Sequence, residues 1–271
     1  MILADSHAHT MYSFDGGSTA CADDICGEYI KKGFSLAALT DHYDVDYIED
    51  GLYSPYDVDA ARRDYEAAAE KYAGRFDLVW GIELGQAPFR AESARRFVRD
   101  HGFEFVIGSI HNLDMAPDFY YMNFSKMPDE MIRRLYARYI DALFGVVRFG
   151  GIHTLAHVTY PMRYIHRDGR ALDIAEFYDD YRRLFRELIE SGVALEVNTG
   201  KVRKGYVTSP DFDLIVLYRD CGGTRVTVGS DAHVPGDFGA DVESTVKKLG
   251  EMGFRELVIP SHGGTETITI E

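Results

Sequence analysis

Short apolar runs alternate along the chain with longer segments in which apolar residues recur at helical spacing. Residues 34–40 (FSLAALT), 76–84 (FDLVWGIEL) and 103–111 (FEFVIGSIH) predict buried strands, because each run is short and mostly apolar. Further strands are predicted near residues 2–6, 151–157, 193–199, 224–233 and 254–260. Some seven or eight strands therefore follow one another along the chain.

The segments between these strands predict helices. We expect a helix over residues 19–32 that stops at Gly33, an alanine-rich helix with Asp57 as its N-cap, and a long helix from Pro128 to Phe149. Other helices are predicted over residues 91–102, 173–191, 209–223 and 240–253. Strands that alternate with helices every 30 to 40 residues or so indicate parallel βαβ units.

This alternation predicts an α/β fold built as one closed or distorted barrel. The 271 residues contain no proline-rich or glycine/serine-rich linker, so a single domain over residues 1–271 is expected. A doubly wound open sheet is the alternative. It is disfavoured because neither G-x-G-x-x-G after the first strand nor G-x-x-x-x-G-K-[ST] occurs in the sequence.

Charge and cysteine content narrow the class of partner. The formal net charge of −15 argues against nucleic-acid and anionic-membrane binding, since phosphate groups attract basic surfaces. Cys21, Cys26 and Cys221 are odd in number and lack C-x-x-C spacing, which favours a reducing compartment. With no signal-peptide pattern and no run near the ~20 apolar residues of a membrane span, we expect a cytoplasmic protein.

Histidines and carboxylates concentrate at the predicted strand ends, where the functional residues of parallel α/β folds gather. They are His7, His9, Asp41, His42, Glu83, His111, His157, Asp231 and His233, with Asn198 beside them. This mixture is typical of zinc, manganese or iron sites, and it exceeds the ligand set of one tetrahedral metal. Two or three divalent metals are therefore expected, an arrangement that suits the hydrolysis of phosphate esters.

Other polar residues have less certain roles. Asp41 could bind metal or orient its neighbours, and we class it as supporting. His153 is expected to be a core or supporting residue. The remaining histidines, His101, His166 and His262, are interpreted as structural.

Seven motifs, taken in order, resemble those of the PHP family, named for polymerase and histidinol phosphatase domains. They are DSHAHTMYSFDG, LTDH, GIELG, IGSIH, LAHVTYPMRY, LEVNTGKVRKG and VGSDAH, between residue 5 and about residue 239. The last four resemble the histidinol-phosphate phosphatase branch most. The resemblance implies a distorted (β/α)7 TIM-like barrel of the PHP type, which in most members binds three metals.

The resemblance also implies a role for each ligand. The first metal would be bound by His7, His9, Glu83 and Asp231. Glu83 would bridge to a second metal, which His111 and His157 complete. The third metal would be bound by Asp15, His42 and His233. Many relatives have histidine in place of Asp15, and a carboxylate there favours manganese or iron over zinc. Arg163 and Arg203, expected in loops, match positions that bind phosphate in such phosphatases.

The implied function is hydrolysis of L-histidinol phosphate in histidine biosynthesis, by a metal-dependent phosphomonoesterase. A hydroxide bridging the first two metals would attack phosphorus in line, and Asp231, His233 or a metal-bound water would donate a proton to the leaving alkoxide. One alternative is a PHP phosphoesterase acting on nucleotides or other small phosphate esters. The other is a barrel with vestigial metals that serves as a binding or regulatory module.

Overall fold

Parallel strands form the centre of the molecule in the computed structural model, which describes residues 2–15, 19–53 and 55–270, without the side chain of Arg203. The strands are β1 (Ala4–Ala8), β2 (Leu36–Leu39), β3 (His42–Asp44), β4 (Asp77–Gly85), β5 (Phe105–Ser109), β6 (Thr154–Leu155), β7 (Ala194–Asn198), β8 (Val226–Gly229), β9 (Glu256–Ser261) and β10 (Gly264–Thr269). The α-helices are α1 (Ala22–Lys31), α2 (Val45–Glu49), α3 (Val58–Tyr72), α4 (Ala91–His101), α5 (Asp129–Phe149), α6 (Tyr160–Arg167), α7 (Tyr178–Ser191), α8 (Phe212–Asp220) and α9 (Val242–Glu251).

The parallel strands close into a distorted seven-stranded barrel. Their order is β1-β2-β4-β5-β6-β7-β8, and the short β3 pairs with the end of β4 beyond β2. Closure comes from the segment after β8, where the Asp231 N–H donates to the His7 carbonyl (2.8 Å) and the His9 N–H donates to the Ala232 carbonyl (3.0 Å). The predicted (β/α)7 TIM-like barrel is confirmed.

Several local signals act as expected. The Asp57 side chain accepts a hydrogen bond from the Ala60 N–H (3.0 Å) at the start of α3. Gly192 ends α7 with φ +74°, a left-handed conformation that glycine adopts without steric cost. Pro128 lies just before α5 as its N-cap. The boundaries of the elements otherwise differ from the sequence expectations by a few residues.

Three features differ from the expectations. Arg163 was expected in a loop, but it lies on α6, a short helix that is held by the burial of Tyr160, Tyr164 and Ile165 rather than by helix propensity. The segment after β2 contains β3 and α2. The chain also continues past β9 into β10, which pairs with β9 as an antiparallel hairpin.

The β9–β10 hairpin lies at the amino-terminal end of the barrel. Its turn residue His262 contacts Asp77, the first residue of β4, and Glu104, which directly precedes β5. The loops at the carboxyl end of the strands are therefore left to form a site. Among the described residues, no helix combines the length and apolar character that crossing a membrane requires.

Candidate metal centre and substrate cleft

Glu83, fully buried near the end of β4, lies at the centre of the ligand cluster. Its Oε2 is 3.2 Å from His7 Nε2 and 2.7 Å from His42 Nδ1. Its Oε1 is 3.1 Å from His111 Nε2 and 2.9 Å from His157 Nε2. The two oxygens thus face different pairs of imidazoles, which is the geometry of a carboxylate that can bridge two metal ions.

His9 and Asp231 complete the Oε2 side of Glu83. His9 Nε2 is 3.2 Å from Asp231 Oδ1, and His7 Nε2 is 3.8 Å from the same oxygen. The backbone of Asp231 has φ +50° and that of His157 has φ +27°, a region that residues other than glycine rarely adopt. Such strain is typical of functional sites, where the fold holds a side chain in a required direction.

Asp15, His42 and His233 form a third group toward the open mouth. His233 Nε2 is 2.8 Å from Asp15 Oδ2 and 3.3 Å from His42 Nε2. His42 Nε2 is 4.0 Å from Asp15 Oδ2. The His9 ring stacks on both imidazoles, with centroid distances of 4.2 Å to His42 and 4.0 Å to His233. The structure therefore brings all nine predicted ligands together in one cluster.

The donor set fits divalent metal ions. Within the described part of the chain, His7 Nε2, His9 Nε2, His42 Nδ1 and Glu83 Oε2 are buried without a well-aligned hydrogen-bond partner. Leaving such groups unsatisfied costs about 1–3 kcal/mol each, so several in one place indicate a missing common partner. Imidazole nitrogens and carboxylate oxygens also converge in three overlapping groups whose ligand atoms lie within 4.8 Å of one another. These clusters indicate divalent metal ions.

The electrostatics favour the metal-binding protonation states of Glu83 and His9, whereas the carboxylates beside His7, His42 and His111 outweigh burial and raise the pKa of each ring. Burial alone would raise the pKa of Glu83, but the imidazoles of His42, His111 and His7 outweigh it and hold that pKa well below its usual value. Burial, with neighbouring His233 and His42, places the pKa of His9 well below its usual value. The carboxyl group of Glu83 is therefore ionised, and His9 is neutral with a lone pair to offer.

Three further carboxyl groups lie around the cluster and make hydrogen bonds to residues in it or next to it. Asp41 accepts hydrogen bonds from the N–H (2.6 Å) and hydroxyl (2.7 Å) of Thr10, an arrangement typical of a supporting residue. Glu196 Oε1 lies 2.5 Å from His7 Nδ1, and Asp44 Oδ1 lies 3.0 Å from His111 Nδ1. The sequence analysis missed Glu196 and Asp44. The available signal for Glu196 was a charged residue inside an otherwise apolar strand.

A cleft of about 420 Å³ opens over the ligand cluster. Its lining includes the cationic residues Arg163, Lys201 and Lys204. The Arg163 Nη2 group donates to Asn198 Oδ1 (2.7 Å), and Nη1 lies 3.4 Å from Asp231 Oδ2. The structure therefore brings Arg163 beside the metal centre, whereas the side chain of Arg203, the other predicted phosphate ligand, lies outside the described residues.

The lining of the cleft also contains acidic and aromatic side chains. Asp118 accepts hydrogen bonds from the Tyr120 N–H (2.6 Å) and from the Tyr160 hydroxyl (3.2 Å). Burial raises the pKa of Asp118 to about 6, and His111 partly opposes this. Five tyrosines line the cleft together with this carboxyl group: Tyr53, Tyr120, Tyr121, Tyr160 and Tyr164. The cleft lining thus combines cationic, acidic and aromatic side chains.

The fold and the cluster define a metal-binding (β/α) barrel with its site at the carboxyl ends of the strands. The family model for the PHP domain matches residues 5–200. The chain belongs to the PHP domain family, and the predicted membership is confirmed.

Several similar proteins carry one name. The probable histidinol-phosphatase of Thermotoga maritima is 29% identical over 270 residues, covering 99% of each chain. The histidinol-phosphatase of Lactococcus lactis subsp. lactis is 24% identical over 260 residues, covering 93% of this chain and 92% of that protein. The predicted resemblance to the histidinol-phosphatase branch is therefore confirmed.

Solved structures agree on the fold. A crystal structure of histidinol phosphate phosphatase from Lactococcus lactis subsp. lactis, complexed with zinc, L-histidinol and phosphate, has a TM-score of 0.80 at 21% identity. The match covers 97% of this chain and 98% of that one. A likeness at this identity establishes the fold, and it supports the seven-stranded barrel described above.

Proposed function

We propose that the protein is a metal-dependent phosphomonoesterase that hydrolyses L-histidinol phosphate to L-histidinol and phosphate, a step of histidine biosynthesis. The observation that carries this proposal is the cleft over the metal centre, whose lining combines cationic side chains with carboxyl groups and tyrosine rings. A phosphate group would face Arg163, and a cationic, aromatic group would face Asp118 and its tyrosines. The names of the similar proteins support the same substrate.

The centre would hold two or three divalent ions, with zinc, manganese and iron as the candidates. The first position would use His7, His9, Glu83 and Asp231, the second Glu83, His111 and His157, and the third Asp15, His42 and His233. When bound, such ions polarise phosphoryl oxygens and lower the pKa of a coordinated water molecule, which supplies a nucleophile at neutral pH.

The cationic side chains of the cleft would bind and orient the phosphate. The Arg163 guanidinium presents N–H groups in a planar fork that matches two phosphate oxygens, and it is already anchored by Asn198. Arg203 is proposed as a second phosphate ligand. His233 lines the cleft beside Asp231, so either group could donate the proton that the leaving alkoxide requires.

The acidic and aromatic side chains of the cleft would bind the organic part of the substrate. Histidinol carries an ammonium group and an imidazole, which suit a buried carboxyl group surrounded by tyrosine rings. Asp118 is the carboxyl group in this position. The negative charge of this carboxyl group would repel a second phosphate group. Nucleoside bisphosphates and oligonucleotides are therefore disfavoured as substrates.

Phosphate release from three classes of substrate tests the proposal. Purified protein supplied with Mn²⁺ or Zn²⁺ should hydrolyse histidinol phosphate with a much higher kcat/KM than p-nitrophenyl phosphate or nucleotides. Equal turnover of all three would contradict the substrate while leaving a phosphoesterase. Less than one metal per chain after reconstitution would instead favour a binding or regulatory barrel.

A further inference from the structure

Two buried carboxyl groups lie behind the ligand cluster, on the far side of its imidazoles from Glu83. Asp44 Oδ1 is 3.0 Å and Oδ2 is 3.2 Å from His111 Nδ1. Glu196 Oε1 is 2.5 Å from His7 Nδ1. Asp44 and Glu196 are both fully buried, and each faces the ring nitrogen that does not face Glu83.

Each carboxyl group is fixed by further hydrogen bonds. Gln86, which has φ +54°, donates from Nε2 to Asp44 Oδ2 (3.3 Å). Glu196 Oε2 accepts from the backbone N–H of His157 (2.9 Å) and from Asn198 Nδ2 (3.2 Å). Glu196 therefore contacts both sides of the cluster, the His7 ring and the strained backbone of His157. Among the proposed ligands in the described part of the chain, Asp44 hydrogen-bonds to His111 alone.

Two glycines provide the space for these carboxyl groups. A Cβ atom at Gly85 would overlap Asp44 Oδ1, so any other residue there would displace the carboxyl group from His111. A Cβ atom at Gly229 would overlap His7 Cβ and lie 2.9 Å from Glu196 Oε1. In both cases, the absence of a side chain at a strand residue leaves room for the carboxyl group beside the histidine nitrogen that does not face Glu83.

We propose that Asp44 and Glu196 are positioning residues of the metal centre, and that Gly85 and Gly229 are required for their action. Asp44 aligns His111 toward the Oε1 side of Glu83. Glu196 aligns His7 toward the Oε2 side and fixes the backbone of His157. This inference rests on the proposed metal binding. It assigns Asp44 to one side of the centre and Glu196 to both, which a general packing role would not do.

Metal titration of charge-removing variants tests the assignment. Metal-free wild type, Asp44→Asn and Glu196→Gln are titrated with Mn²⁺ and with Co²⁺ against a chelating dye, and the stoichiometry is checked by elemental analysis. Loss of a residue that orients a metal-binding histidine weakens affinity about 10- to 100-fold. Asp44→Asn should weaken one class of site and spare the other, whereas Glu196→Gln should weaken both. Asp57→Asn, at a helix N-cap away from the cluster, is the matched control.

The role of Gly85 is tested by a double-mutant cycle. Gly85→Ala should weaken metal binding in the wild type as Asp44→Asn does. In an Asp44→Ala background no carboxyl group remains to be displaced, so it should change affinity by less than about twofold, which is the usual scatter of additivity measurements. Gly27→Ala is the control, because a Cβ there meets its nearest described atom, the Tyr72 hydroxyl oxygen, at 3.9 Å. Full additivity of Gly85→Ala and Asp44→Ala would overturn the link between the two residues.

The outcomes separate this inference from the proposed function. A wild type that binds no Mn²⁺, Co²⁺ or Zn²⁺ contradicts both. A wild type that binds metal, with folded Asp44→Asn and Glu196→Gln variants that bind it equally well, overturns the positioning role alone. The Co²⁺ absorption spectrum adds a readout of ligand geometry, and it should change in the variants even where the bound metal is restored by excess Co²⁺.

Discussion

Among single residues, Glu83 connects more of the proposed ligands than any other described side chain. Its two oxygens face the imidazoles of His7, His42, His111 and His157 at distances of 2.7 to 3.2 Å. A change at Glu83 would therefore disturb two metal positions at once. Asp231 and His9 lie on the Oε2 side and also neighbour His233, so a change at either tests the first and third positions together.

Asp231→Asn is expected to abolish phosphatase activity. The amide would remove the negative charge beside His9 and Arg163 while preserving the shape of the side chain. Since metal ions supply several kcal/mol of transition-state stabilisation, kcat/KM for histidinol phosphate should fall about a thousandfold or more. His9→Ala should have the same effect. A variant that keeps its metal content and more than a tenth of its activity would contradict the assigned role.

Arg163→Ala is expected to raise KM more than it lowers kcat. The guanidinium would bind the phosphate in substrate and transition state alike, and charged hydrogen bonds contribute about 1.5–3 kcal/mol, or roughly 10- to 150-fold in kcat/KM. Arg134→Ala is a control for loss of a guanidinium, because Arg134 is exposed on α5 and pairs with Glu130. If Arg163→Ala and Arg134→Ala both behave as wild type, the phosphate lies elsewhere.

The sequence indicates the ligands more readily than the residues behind them. His7, Glu83 and Asp231 could be predicted because parallel strands bring their carboxyl ends to one mouth, whatever the distances along the chain. Asp44 and Glu196 would act on the metal centre indirectly, each through the ring of a proposed histidine ligand. Their position depends on the space left by Gly85 and Gly229. That space results from tertiary packing, so no local pattern reveals it.

At the scale of the elements, the barrel strands and longer helices could be predicted because their signals are local. The Asp57 cap and the Gly192 stop are examples, since each acts within one turn of its own helix. Helix α6 could not be predicted in the same way. Its eight residues begin with Tyr160 and Pro161, and they are stabilised by contacts with distant parts of the chain.

His262→Gln is expected to destabilise the protein most at low pH. Burial opposes the charge of the His262 ring, but hydrogen bonds to Asp77 and Glu104 outweigh it and raise its pKa above the usual 6.5. The stabilisation is therefore fully present below about pH 6.5 and is lost as the pH rises through the raised folded-state value. Denaturant unfolding between pH 5.5 and 9 should show the gap between wild type and variant closing.

Ionic strength and a control variant test the cause of that pH dependence. The His262 side chain is 52% exposed, so added salt should narrow the gap at low pH. His166→Gln, at an exposed site on α6, should show no comparable dependence. A gap that is constant over the whole pH range would contradict an ionic link between the β9–β10 hairpin and the barrel.

At the scale of the whole molecule, the two ends of the barrel differ. The β9–β10 hairpin lies at the amino-terminal end, and the carboxyl end presents a cleft that combines cations with acids in a chain of net charge −15. The mixture of charges in the cleft and the negative net charge of the chain favour a small zwitterionic phosphate ester over a polyanion. Cys21, Cys26 and Cys221 are free thiols. A cytoplasmic location and a single domain stay predictions.

Removal of metal is expected to lower the thermal stability of the whole barrel. The proposed ligands come from strands and loops around the mouth, so the bound metals would link β1, β3, β4 and the segments after β5, β6 and β8. Metal present at about a thousand times its Kd would stabilise the folded state by about 4 kcal/mol, or roughly 10 °C in Tm for a domain of this size. Calorimetry before and after chelation, followed by return of Mn²⁺ or Zn²⁺, measures the shift. Asp231→Asn should show a smaller shift than wild type, and a Tm that chelation leaves unchanged in both proteins would contradict a metal shared by these elements.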